Sequence, residues 1–236
     1  MAIVPEAVDA DMFNPATMRP ERVLALRKLW NVPNGNRVIL VPGPLAPAEG
    51  QDVLIEAAAM TPPHLLRDVT FVLIGETRAH RRYARALSAS ARRRRIAPLF
   101  VRPGACTDWP AALAAADFVV IPAVTQRLYG DPIPQSQTMA RPVIASAAGI
   151  LPEHLLAPPR MPKSLRTGWI VPPGDPQALA ETLTEAISSI WPATGRWPPA
   201  PAGSRNSCFR RKTLPLRSSK FIMNYWKAIL THCIRR

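Results

Sequence analysis

Three cysteines in 236 residues, Cys106, Cys208 and Cys233, are too few for a disulfide-built scaffold. No uncharged apolar run reaches the roughly 18 residues that a membrane-spanning helix needs. The opening stretch carries Glu6, Asp9 and Asp11 without a basic cluster ahead of an apolar run. No secretory leader is therefore expected, and the expected compartment is the cytoplasm. Cysteine and histidine never fall at metal-ligand spacing, so no metal is expected, and neither a P-loop nor a nucleophile elbow occurs. Zinc-finger spacing, aromatic RNA-binding strands and a helix-turn-helix pattern are missing too, which excludes sequence-specific nucleic-acid recognition. Glycine is sparse, at 11 residues.

Proline and positive charge are abundant instead. The chain holds 28 prolines and a net charge of +14, with 47% hydrophobic residues, ample for a buried core. The charge is concentrated in two places. Gly195 to Arg236 contains ten Lys/Arg and no acid, and Arg78 to Arg95 contains eight arginines and no acid. The rest holds 12 basic and 16 acidic residues, close to neutral. Two such patches on a near-neutral body suit either a solvated helix face and tail or attraction to phosphate-bearing surfaces.

Apolar strands alternate with helical stretches between Arg37 and Ile190, the pattern of a parallel α/β sheet. Expected strands are Arg37–Val41, Asp68–Ile74, Leu99–Val101, Phe118–Ile121, Pro142–Ala145 and Trp169–Val171. Expected helices are Pro20–Trp30, Gln51–Met60, Ala79–Arg94, Pro110–Ala116, one opening at Asp175-Pro176, and Phe221–Leu230. Asp175 is placed to cap free amides, and Pro176 suits the first helical position. In Asp175's helix Leu179, Leu183, Ile187 and Ile190 recur at helical spacing. The proline-rich runs 157–162 and 197–201 cannot be helical. The expected organisation is a linker-like lead-in over 1–36, a Rossmann-like domain of about six strands over 37–192, and a Pro-rich, basic extension over 193–236.

Specific stretches carry a family resemblance. They are Gly50-Gln-Asp-Val-Leu-Ile-Glu-Ala-Ala58, Phe71-Val-Leu-Ile-Gly75, Trp109-Pro-Ala-Ala-Leu-Ala-Ala-Ala-Asp117, Arg141-Pro-Val-Ile-Ala-Ser146, Gly149-Ile-Leu-Pro-Glu153 and Thr167-Gly-Trp-Ile-Val-Pro-Pro-Gly-Asp-Pro176. Together they resemble the C-terminal, donor-binding domain of the family 4 (group 1) glycosyltransferases, which have the two-domain GT-B fold. Val4 to Pro15 is similar to the linker that leads into that domain, so no acceptor domain is expected within these residues. The resemblance implies a nucleoside diphosphate sugar as ligand, held by βα loops. Ligands in open parallel sheets sit at the carboxyl ends of strands, where glycines allow close approach to phosphate. Candidate nucleotide-sugar-binding residues are Gly43, Gly75, Gly104, Tyr129, Gly130 and Gln135.

The resemblance also implies four charged side chains typical of retaining members, and none is present. Pro44 and Glu49 stand at the positions of an arginine and a lysine that, in the family, neutralise the diphosphate. Arg127 and Gln135 stand at the positions of two glutamates eight residues apart. Losing one such cation commonly costs about 10²–10³ in rate, and Glu49 reverses the charge. Gln135 is the mildest change, since an amide still hydrogen-bonds a ribose hydroxyl. Arg127 brings a cation to the site, a partial compensation. Pro132 and Pro134 lie where the family's loop becomes a helix, reducing the backbone amides that face a ligand. Asp108, Asp117 and Asp131 read as caps and turns, and His80 and His154 as surface or satisfied histidines.

The expected function is therefore the donor half of a retaining enzyme, truncated or catalytically impaired. The competing expectation is a noncatalytic interaction module. Its partner would be a separate acceptor-domain chain, or an anionic membrane surface reached through the basic tail at the inner face of the membrane.

Overall fold

The computed structural model describes residues 8, 9, 11–76, 78–127, 132–155, 157–159 and 166–190. Six strands form one fully parallel sheet: β1 (Arg37–Pro42), β2 (Val69–Ile74), β3 (Phe100–Gly104), β4 (Phe118–Ile121), β5 (Val143–Ser146) and β6 (Gly168–Val171). Their spatial order is β3-β2-β1-β4-β5-β6, the doubly wound Rossmann arrangement. β1 is central and runs in register with β2 from Arg37↔Val69 to Pro42↔Ile74, and with β4 at Ile39↔Phe118 and Leu40↔Val119.

The strands other than the edge strand β3 are apolar on both faces because helices cover both. Alternate residues divide between two cores, as the two-residue period of a strand requires. Ile39 and Val41 pack with Leu54 and Ile55 of α2 (Gln51–Met60), Leu87 of α3 (Arg81–Arg93) and Leu183 of α6 (Pro176–Ile190). Val38 and Leu40 pack on the opposite side with Leu113 of α4 (Trp109–Ala115) and Ile133 of α5 (Pro132–Thr138). The lead-in contributes to that second core through Phe13, Trp30 and Val32, all buried, and its helix α1 (Pro20–Leu29) lies against α4.

Helix ends follow the sequence signals. The Asp175 carboxylate accepts from the Ala178 amide at 2.9 Å, and Asp108 accepts from the Ala111 amide at 3.2 Å at the start of α4. Leu179, Leu183 and Ile187 are buried on one face of α6. α5 is absent from the helices expected from the sequence pattern and lies where the resemblance puts the change from loop to helix, with Pro132 and Pro134 in its first turn, where no helical partner exists for an amide. The proposed helix Phe221–Leu230, the proline-rich run 197–201 and the basic tail lie outside the described residues. Among the described residues no helix is long and apolar enough to cross a membrane.

Asp117 does more than turn the chain. Its carboxylate accepts from the Val38 amide at 2.7 Å, and its own amide donates to the Val38 carbonyl at 2.8 Å, tying the starts of β1 and β4 together. Arg141 and Arg27 lie in its field, and each donates to a carbonyl of α4: Arg141 to Ala114 at 3.2 Å, Arg27 to Ala115 at 3.1 Å. Burial raises the Asp117 carboxyl above the usual carboxylate range, opposed by its bond from Val38 and by the arginines.

Candidate functional site

The chain leaves β1 toward one face of the sheet, through α2, and leaves β4 toward the other, through α5. Connections that diverge in this way open a crevice at the carboxyl ends of the two strands. Its walls are the loop after β1, residues 43–50, and the loop after β4, of which residues 122–127 are described.

Glycine lets these walls approach. Gly50 has φ +68, and a Cβ there would lie 1.9 Å from the Pro122 carbonyl oxygen. Beside it the Val124 amide donates to the Ala48 carbonyl at 3.0 Å. Buried Gln51 anchors the first wall by donating its side-chain amide to the Pro44 carbonyl at 2.9 Å. The loop after β5 adds a third support. The Ile150 amide donates to the Arg127 carbonyl at 3.1 Å, and Gly149, at φ +59, lies so close that a Cβ would be 2.2 Å from that oxygen.

The carboxylate of Glu49 and the guanidinium of Arg127 are thereby brought together, 78 residues apart in sequence, as an ion pair. Their side chains are 14% and 22% exposed. The pair lies on Gly43, at the end of β1: a Cβ at Gly43 would be 2.8 Å from Glu49 Oε2 and 3.5 Å from an Arg127 guanidinium nitrogen. Neither the sequence pattern nor the resemblance pointed to this contact. The signal that could have suggested it is the pairing of two reversed charges at positions where opposite charges were expected.

The other candidate residues divide. Gly43 and Gly75 lie back to back, since a Cβ on Gly75 would be 1.9 Å from the Gly43 carbonyl oxygen. Their amides donate to the carbonyls of Ile74 and Gly104, both at 3.0 Å. They offer a ligand close approach to backbone, while their own donors serve the sheet. Gly104, at φ +93, ends the edge strand β3, two strands from β1. Gln135 stands on α5, and its carbonyl oxygen accepts from the Trp109 indole at 2.5 Å, which leaves the amide nitrogen to donate. Tyr129 and Gly130 lie outside the described residues, as does Asp131. Pro44 is exposed at the mouth.

Titratable groups elsewhere are engaged structurally. Asp108 holds Arg22 at 2.6 Å, and that bond keeps its carboxyl below the usual range. Burial pushes the Cys106 thiol up, away from a reactive thiolate. His80 is exposed, and the backbone carbonyl of His154 accepts from Gln137 at 2.9 Å. Among the described residues no three His, Cys, Asp or Glu side chains are grouped to hold a metal ion.

Residues 36–189 match the family described as glycosyl transferases, group 1, which is most of the chain and spans every strand. The chain belongs to the group 1 glycosyl transferases. Among relatives of this family, the D-inositol 3-phosphate glycosyltransferase of Salinispora tropica is 31% identical over 194 residues. That match covers 77% of this chain and 37% of the relative, so the chain spans well under half the relative's length. A C-terminal domain of a group 1 protein, LpcC of Francisella tularensis, superposes with a TM-score of 0.63 at 26% identity, covering 77% of this chain and 88% of that domain. Anabaena HepE, solved in complex with UDP, superposes with a TM-score of 0.65 at 25% identity, covering 78% of this chain and 46% of that one. The architecture is that of one half of a GT-B glycosyltransferase.

Proposed function

We propose that the chain is the donor-binding half of a retaining, nucleotide-sugar-dependent glycosyltransferase whose transfer chemistry is impaired. The observation that carries the reading is the crevice between β1 and β4, which lies in a group 1 domain at the place where open parallel sheets take nucleotides. A relative of the same architecture has been solved with UDP, which supports a nucleoside diphosphate as the ligand class. On this reading Gly43 and Gly75 allow phosphate to approach the strand ends, Gln135 donates its amide to a ribose hydroxyl, and residues 37–192 form the donor domain. Gly104, Tyr129 and Gly130 complete the proposed set.

Impairment follows from charge. A diphosphate leaving group needs cations aimed at it, and each such group supplies about 10²–10³ in rate. Here the crevice offers one guanidinium already paired with a carboxylate. Transfer from UDP-glucose by this chain is therefore expected to lie at least a hundredfold below that of a relative with the charged set intact. Calorimetry with UDP, GDP and their sugars tests the binding. Weak heat is expected, and no detectable heat at millimolar ligand removes donor binding from the account. The acceptor surface is proposed to come from outside this domain, as a separate chain or a further part of the protein.

A second reading has its own observation. At about 100° per residue, α3 places Arg81, Arg85 and Arg92 on one exposed ridge with Arg82 and Arg93 beside it. A groove of about 340 Å³ between Arg81, Arg85, Ser88 and Arg102 runs along this ridge. This face supports a noncatalytic module on an anionic membrane surface, with the tail as a second basic contact and a peripheral cytoplasmic location. Salt-sensitive binding to anionic vesicles is expected. Loss only on neutralising Arg81, Arg85 and Arg92 would assign it to α3, and loss only on deletion of residues 205–236 would assign it to the tail. Loss in neither variant would reject the reading.

A further inference from the structure

Two properties of the Glu49–Arg127 pair need explaining together. It is largely enclosed, and an enclosed ion pair contributes little net stability, because removing both charges from water offsets their attraction. It also lies directly on the Gly43 backbone, at the carboxyl end of β1, which is the anion position of this architecture. A pair placed only to hold two loops together would not need that spot, since the loops are already joined by the Val124–Ala48 bond and the Gly50–Pro122 approach.

We infer that Arg127 is the anion-binding group of this crevice and that Glu49 is its resident counterion, occupying the place a phosphate group would take. The inference rests on the crevice being a nucleoside diphosphate site. Both partners have a fixed backbone. The Arg127 carbonyl is held by the Ile150 amide and by Gly149 packed against it. Glu49 ends the 3₁₀ turn Pro47–Glu49, its amide donates to the Ala46 carbonyl at 2.9 Å, and its neighbours Ala48 and Gly50 meet Val124 and Pro122. Exchange of the counterion therefore requires only the Glu49 side chain to rotate away, with both walls in place. A phosphate offers the guanidinium two acceptor oxygens in fork geometry, which a carboxylate also provides, but with a larger charge. A diphosphate can thus bind by displacing Glu49, at reduced affinity because that contact must first be broken. The substitutions at 49 and 127 are then one coupled change rather than two independent losses.

The test is UDP binding by calorimetry on the full chain, with uridine as the phosphate-free control. Glu49→Gln keeps the shape and a hydrogen-bonding oxygen while removing the competing charge. It is expected to bind UDP at least tenfold more tightly than the parent, with uridine affinity unchanged and a gain that shrinks as salt rises. E49Q/R127M is expected to lose the whole gain. Thermal unfolding of each variant shows that the fold is intact. Equal UDP affinity of parent and E49Q would overturn the inference and leave nucleotide binding standing. A gain that persists in E49Q/R127M would show that another group takes the anion, and would overturn it too. Absence of UDP and uridine binding in every folded variant would overturn both the inference and the nucleotide reading.

Discussion

The central strand β1 has a charged cluster at each end, and the two are built differently. At its start Asp117, Arg141 and Arg27 all bond to backbone: Asp117 to the Val38 amide, and the arginines to carbonyls of α4. At its carboxyl end, roughly 17 Å away for a strand of this length, the Glu49 and Arg127 side chains meet each other over Gly43. Charges bonded to backbone are part of the sheet's hydrogen-bond accounting, and removing one leaves an amide or carbonyl buried without a partner. Charges bonded to each other can be removed together, or exchanged for a ligand. The contrast gives an expectation: the first cluster holds the fold, and the second can be changed at little cost to it.

Several changes break or sharpen that contrast. The largest effect belongs to the crevice backbone. Gly50→Ala would drive a methyl into the Pro122 carbonyl from a left-handed conformation, and should cost about 4 kcal/mol in urea unfolding. A loss below about 1 kcal/mol would show that the two walls are not packed as described. Asp117→Ala should cost about 2 kcal/mol through the lost charged bond to Val38. Asp108→Ala, which removes the α4 cap and the exposed partner of Arg22, should cost about 1 kcal/mol.

Acid titration separates the two aspartates by sign. Burial raises the Asp117 carboxyl, so its protonation favours the fold. That contribution is complete below the ordinary carboxylate range and fades as pH rises through the native value. The stability gap between parent and Asp117→Asn should therefore be widest in acid and narrow toward neutrality. The Arg22 bond lowers the Asp108 carboxyl, so its contribution is present above the ordinary range and is lost as pH falls through the native value. The gap for Asp108→Asn should close in acid. Parallel slopes in the two urea series would refute these environments.

The smallest effect is expected from removing the crevice pair as a whole. E49L/R127L should lie within about 1 kcal/mol of the parent. A loss as large as that of Asp117→Ala would make the pair structural and erase the distinction between the two ends of β1.

Much of the fold is legible along the chain because its signals are local. Five of the six strands are runs such as Arg37–Val41 or Phe118–Ile121 whose apolar character survives without context, whereas the edge strand β3 runs on through Arg102, Pro103 and Gly104, beyond the apolar stretch Leu99–Val101 that marks it in sequence. α2 and α6 are marked by apolar spacing and, for α6, by its Asp175-Pro176 opening. α5 was harder to see, since a seven-residue helix containing Pro132 and Pro134 has no periodicity to detect, and its prolines are tolerated only because they fall in the first turn. In sequence Asp117 reads as a cap or turn because its partner, Val38, comes from a distant segment. The sequence marks candidate glycines by position but says nothing of what their amides do. Whether a glycine amide faces a ligand or a neighbouring strand depends on pairing, and Gly43 and Gly75 give theirs to the sheet.

The amino-acid sequence alone determined the order of the six strands and the parallel α/β class, because periodicity and turn chemistry are properties of short stretches. Tertiary structure decided which residues meet. It set β1 beside β4, closed the walls at Gly50 and Gly149, and joined Glu49 to Arg127 across 78 positions. A charge reversal read one residue at a time looks like a defect. Two reversals in contact cancel, because Coulomb energy depends on separation in space and not on distance along the chain.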